Sequence, residues 1–83
     1  MKLDDRIKEL IAVGASIAAN CQPCLEYHAG EARKSGADGQ EIMDAIEVGK
    51  MVRRGAASKI DKFAATLAQP GSPAPASSDD ACG

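Results

Sequence analysis

The sequence predicts an all-α domain, and three observations carry that reading. Apolar residues recur at helical spacing through most of the chain. No segment alternates apolar and polar as a half-buried strand would, and β-branched residues are sparse. Helix start and stop signals fall at the joints between the periodic stretches.

Leu3, Ile7, Leu10, Ile11, Gly14, Ile17 and Ala18 form the apolar stripe of a first helix. From Leu10 onward the opposite face carries only Ala12, Val13, Ser16 and Ala19, so this helix is expected to be buried on both sides. In so small a domain the second side is expected to meet another subunit. Asn20 breaks the helix and is placed to cap the next one. Pro23 lacks an amide hydrogen and suits the first turn of a helix rather than its middle. Cys21 to Cys24 therefore open a second helix running to about Lys34, which Ser35-Gly36 closes with Gly36 as a left-handed stop. Asp38 followed by Glu41 reads as a capping box, with Asp in place of Ser or Thr. From Ile42 through Ala45, Ile46, Gly49, Val52, Ala56, Ile60 and Phe63 to Leu67 the helical phase is kept. Arg53 interrupts that stripe and Gly55 follows it, so a kink or short break is expected there.

The chain has 83 residues, enough for one domain. The helical domain is expected over residues 1–69. Residues 70–83, PGSPAPASSDDACG, are expected to be a disordered tail, because prolines, small polar residues and paired aspartates bury no core. With one Phe, one Tyr and no Trp, the core must come from Ala, Ile, Leu, Val and Met. Such a core is small, and a two-residue disulfide loop stabilises it little, so self-association as a homo-oligomer is expected.

Formal net charge is −2, which Asp79 and Asp80 account for. Scattered basic residues and few aromatics argue against nucleic-acid binding. Leu10 to Ala19 is an uncharged run followed by Asn20-Cys21, loosely like an export leader. Its flank is wrong for one, since Asp4, Asp5 and Glu9 cancel Lys2, Arg6 and Lys8. The run is also too short to span a bilayer. The expected location is the cytoplasm with no membrane partner, and there a CxxC pair is more often catalytic or metal-binding than structural.

The chemistry lies in Asn20-Cys21-Gln22-Pro23-Cys24-Leu25-Glu26-Tyr27-His28. Two thiols separated by two residues can close a small disulfide ring and open it again. His28, the one histidine of the chain, lies four positions after Cys24, so on a helix it shares a face with that sulfur. A thiol attacks as its thiolate, and amide dipoles at a helix start, a nearby imidazole and the second thiol all favour that anion. Glu9 is a candidate for the same site. If the first two helices run antiparallel about Asn20, eleven residues back and eight forward bring Glu9 and His28 to similar heights. A carboxylate facing an imidazole fixes its tautomer and raises its basicity.

Glu9, Cys21, Cys24 and His28 thus stand in the pattern Glu-x11-Cys-x2-Cys-x3-His. This pattern, with Gly36-Ala37-Asp38 leading into Glu41-Ile42, resembles the core motif of the alkylhydroperoxidase AhpD and carboxymuconolactone decarboxylase family. The resemblance covers residues 5 to 68 and implies an all-helical domain that forms trimers or hexamers. It also implies peroxide reduction, with Cys24 attacking the peroxide oxygen, Cys21 resolving, and Glu9 and His28 passing protons. One departure stands out. The best-known peroxidases of the family carry a histidine between the cysteines, where this chain has Gln22-Pro23.

The expected activity is therefore that of a thiol oxidoreductase without a cofactor, acting on a hydroperoxide or a partner's disulfide and restored by an external thiol reductant. The competing class is a non-enzymatic helical oligomerisation module. In it Cys21 and Cys24 merely pack as small buried side chains, or join His28 and a fourth ligand, Cys82 or Glu9, around zinc. A c-type haem is excluded because no histidine directly follows the second cysteine. Tyr27 is expected to pack at a helix interface, Arg53-Arg54 to form a solvated corner, and Cys82 to be a mobile tail thiol.

Overall fold

The computed structural model describes residues 1–68. The expected disordered tail, with Cys82, lies outside the described residues. Three helices follow in order: α1, Asp5–Ala18; α2, Gln22–Lys34; α3, Gly39–Thr66. There is no strand among the described residues. The chain divides into two compact units, the first Met1–Arg53 and the second beginning at Arg54, within α3.

Each joint has a local chemical cause. Asp4 caps α1, its carboxylate accepting from the Ile7 amide at 2.8 Å. Asn20 ends that helix in the left-handed region, with φ of 55°, a conformation asparagine tolerates better than most residues. With Asn20 committed to the reversal, the extended residue flanking α2 is Cys21 rather than Asn20. The Cys21 sulfur is itself the cap and accepts from the Cys24 amide at 3.3 Å. Pro23 sits in the first turn, where no intrahelical donor is needed. At the other end Gly36 has φ of 99°, and the amides of Gly36 and Ala37 donate to the carbonyls of Arg33 and Ala32 at 3.1 and 2.9 Å. This is a Schellman closure. The capping box of α3 forms in both directions: Glu41 N to Asp38 Oδ1 at 2.8 Å, and Asp38 N to Glu41 Oε1 at 3.1 Å.

α3 is a single helix through Arg53 and Gly55, so the expected short break does not occur. An interior glycine costs a helix only about 1 kcal/mol, too little to end it without a second cause. Arg53 does not have to enter a core either, because its guanidinium reaches the end of α1.

The core of the first unit is Val13, Ala32, Ala37 and Ile42, with Leu10, Leu25, Ala29, Ala45 and Ile46 packed around it. The buried positions of α1 are Val13 and Ser16, the face opposite the long apolar stripe. Ser16 is buried without penalty because its hydroxyl donates to the Ala12 carbonyl at 2.7 Å. The stripe meets α3 only along one edge, where Gly14 and Gly49 bring the two backbones together. An ion pair between Arg6 and Glu41 ties the same helices. Beyond that edge Ile7, Ile11 and Ala18 of α1 and Val48 and Val52 of α3 line an open apolar groove of about 390 Å³. In the second unit Ile60 and Phe63 are exposed. No helix of the described residues is long and apolar enough to cross a membrane.

Candidate active site

α1 and α2 present the two halves of the site. Cys21 and Cys24, at the start of α2, are joined as a disulfide with their Cα atoms 5.2 Å apart. Cys24 is exposed and Cys21 half-buried. The cap geometry separates the two sulfurs electrostatically, because the Cys24 amide points at the Cys21 sulfur. On reduction, that amide favours negative charge on Cys21. Of the two cysteines the helix start thus acts first on Cys21, since a cap residue receives the amide and the residue three further on supplies it.

One turn beyond Cys24, His28 faces α1, where its Nδ1 lies 2.6 Å from Glu9 Oε1. An ionised carboxylate only accepts, so Nδ1–H is the donor and the Nε2 lone pair of a neutral ring is left for other work. Glu9 is the more enclosed partner, its side chain 12 % exposed against 32 % for His28. Lys8 approaches the other carboxylate oxygen of Glu9, with Nζ 3.7 Å from Oε2. No hydrogen bond joins His28 to either sulfur among the described residues, so the shared helix face does not produce that contact in the disulfide state. Tyr27 does not pack at a helix interface; it is 61 % exposed and meets the His28 ring edge-on, with centroids 5.0 Å apart.

Arg53 departs most from its expected place. Its Nη1 donates to Asn20 Oδ1 at 2.9 Å and to the Ile17 carbonyl at 3.3 Å, so it closes the C-terminal end of α1 rather than forming a solvated corner. The signal was present in the sequence, since the last turn of α1 has no basic residue to meet its carbonyls. Lys8 was legible only as the sequence neighbour of Glu9. No group of three His, Cys, Asp or Glu side chains is arranged to hold a metal ion among the described residues.

No solved structure matches the chain significantly. Among curated proteins it is similar to "Uncharacterized protein 4 in cox locus" of Paracoccus denitrificans, with 46 % identity over 55 residues. That stretch is 66 % of this chain and 50 % of the relative, so the chain aligns with about half the length of the curated relative it matches. The sequence model of one family covers residues 1–68, which include all three helices, the cysteine pair and the Glu9–His28 contact. The chain belongs to the carboxymuconolactone decarboxylase family.

Proposed function

We propose that this chain is a thiol oxidoreductase in which Cys21 and Cys24 cycle between dithiol and disulfide while reducing a hydroperoxide or a partner's disulfide. The observation that carries the reading is the 2.6 Å contact of Glu9 with His28, on the same helix and one turn from an exposed cysteine of a redox pair. A carboxylate-oriented imidazole is costly to build for packing alone and is suited to moving a thiol proton.

In the proposed cycle Nε2 of His28 takes the Cys24 proton, and the thiolate attacks the terminal peroxide oxygen. The O–O bond breaks, Cys24 becomes a sulfenic acid, and the leaving alkoxide receives the proton from the imidazolium. The Cys21 thiolate, favoured by the Cys24 amide, then attacks the Cys24 sulfur, and hydroxide leaves as water after taking a proton. Two external thiols return the pair to the dithiol and leave as one disulfide. With a disulfide substrate Cys24 attack releases one substrate thiolate and leaves a mixed disulfide on Cys24, and Cys21 attack on the Cys24 sulfur then releases the second thiolate. Gln22-Pro23 supplies no proton carrier between the cysteines, which places the whole transfer on His28.

The acting form is proposed to be a homo-oligomer, with a second copy covering the apolar groove between α1 and α3. Among the described residues only four apolar side chains are buried within one chain, whereas Ile11, Val48 and Val52 are all more than half exposed around a groove without charge. Stoichiometric conversion of dithiol to disulfide by a limiting hydroperoxide, faster than for free cysteine and lost in Cys24→Ser, tests the redox reading. A rate no greater than that of free cysteine refutes it.

A further inference from the structure

We propose that the cavity beside Cys21 is a subsite for a short aliphatic carboxylate held by Arg53, and that the thiol which reduces the disulfide carries such a group. The cavity holds about 250 Å³ and is lined by the apolar Ile17 and Leu25 together with Ser16, Asn20, Cys21, Gln22 and Arg53. That is below the range of about 300–1,000 Å³ usual for drug-sized ligands, so the space suits a few carbon atoms and one polar end.

The polar end is set by Arg53. Among the described residues both hydrogen bonds of its guanidinium use Nη1. Among the described residues no protein acceptor engages Nε or Nη2, and no carboxylate pairs with Arg53. The Nε–Nη2 edge is the side of the fork that matches the two oxygens of a carboxylate. No acidic side chain lines the cavity, so the guanidinium meets only the partial negative charges of the Ile17 carbonyl and the Asn20 amide oxygen there, and a single arginine neutralises a monoanion rather than a dianion. The two bonds through Nη1 hold the fork in place before any ligand arrives, which lowers the ordering cost of binding.

Of the two cysteines, Cys21 lines this space and Cys24 does not. A thiolate whose carboxylate rests on Arg53 attacks the Cys21 sulfur. A bond forms between the two sulfurs, the Cys21–Cys24 bond breaks, and its electron pair leaves on Cys24 as thiolate. A second thiolate then attacks the outer sulfur of the adduct, which releases Cys21 as thiolate and the small disulfide as product. Two electrons reach the protein, and Cys24 is the first sulfur freed.

The subsite rests on the proposed redox cycle only for its biological use, because any disulfide can be reduced by added thiol. The test measures reduction of the oxidised full chain by 3-mercaptopropionate, 2-mercaptoethanol and cysteamine. Each rate is divided by that of the same thiol with a small free disulfide, which removes differences in thiol reactivity. The expected order is 3-mercaptopropionate about tenfold ahead of 2-mercaptoethanol, with cysteamine last. Propionate, which has no thiol, slows only the first reaction. Arg53→Gln removes the preference and Arg53→Lys keeps part of it. Should loss of the α1 contact unfold Arg53→Gln, Gln22→Glu puts a carboxylate in the cavity lining and removes the preference by charge alone. Equal normalised rates in the natural chain, or a preference that survives Gln22→Glu, overturn the subsite. Uniformly slow reduction with the preference intact counts instead against the redox cycle and leaves the subsite standing.

Discussion

Glu9 and His28, nineteen positions apart in sequence, meet through a 2.6 Å hydrogen bond between α1 and α2. The bond depends on the reversal at Asn20, which sets the two helices side by side with these residues at one height. It occupies Nδ1 and so decides which imidazole nitrogen is available for proton transfer. Lys8 on the far oxygen of Glu9 gives the carboxylate a cationic neighbour besides the imidazole.

If this bond serves proton transfer, His28→Ala should lower kcat/KM for hydroperoxide about 100-fold. Glu9→Gln should lower it about tenfold, because the amide can donate to the ring and hold the wrong tautomer. Peroxide consumption under saturating thiol, with helix content checked by circular dichroism, makes the measurement. Full activity in His28→Ala would leave the proton relay without support.

The two cysteines should fail in different ways. Cys24→Ser is expected to show no peroxide turnover. Cys21→Ser should react once and stop at a sulfenic acid, which a dione reagent traps as a mass increase on Cys24. The difference follows from exposure: Cys24 is open to an oxidant, while Cys21 is half-buried and receives the Cys24 amide. A trapped sulfenate on Cys21 of Cys24→Ser, and none in the reverse variant, would exchange the two roles.

The joints of the fold were legible because each is a local matter. Gly36, Asp38, Glu41 and Pro23 act within a few residues, and every one occupies the conformation or bond that its chemistry favours. The Glu9–His28 contact was legible by counting residues from the turn together with the Glu-x11-Cys-x2-Cys-x3-His spacing of the family that the sequence resembles, since Glu9 alone reads as a solvated helix residue. What the pattern left open was which face of α1 is the inside. Apolar or small residues occupy both faces, so periodicity identifies a helix without choosing between Val13 and Ile11 for the core. The placement of Arg53 depended on distant partners, because it finds its acceptors at Ile17 in α1 and at Asn20 in the reversal beyond it. The cysteine pair was legible as chemistry, but the identity of the capping sulfur depended on Asn20 being used up in the reversal.

The crossing of α1 and α3 gives a stability prediction with its own control. A Cβ on Gly49 would collide with the Gly14 carbonyl oxygen and lie 2.8 Å from Ile17 Cβ. Backbone cannot move aside as a flexible side chain can, so Gly49→Ala should destabilise the chain by about 1–3 kcal/mol. A Cβ on Gly55 meets nothing within 4 Å, so Gly55→Ala should stabilise α3 by about 0.5–1 kcal/mol through helix propensity alone. Thermal unfolding of the two variants side by side reads the contrast. Opposite signs are expected, and two stabilised variants would mean that α1 and α3 do not approach as closely as Gly14 and Gly49 require.

The groove between α1 and α3 gives the last prediction. Val48 and Val52 are 54 % and 56 % exposed on an uncharged surface, beside Ile11 at 56 %. Leaving contiguous apolar surface in water is unfavourable for a chain whose core, among the described residues, is four small or medium side chains. If a second copy covers it, light scattering on the natural chain should report a mass that is a multiple of the 8.5 kDa protomer. Val48→Asp should return the monomer, since each copy would then bury an unpaired carboxylate. The variant should also unfold at lower temperature, because association and folding are linked by mass action. Glu47→Ala, at an exposed position on the same helix and outside the groove, should change neither mass nor unfolding temperature appreciably. A natural chain that stays monomeric at every concentration would show that the groove serves another purpose, and Val48→Asp would then only make the surface more soluble.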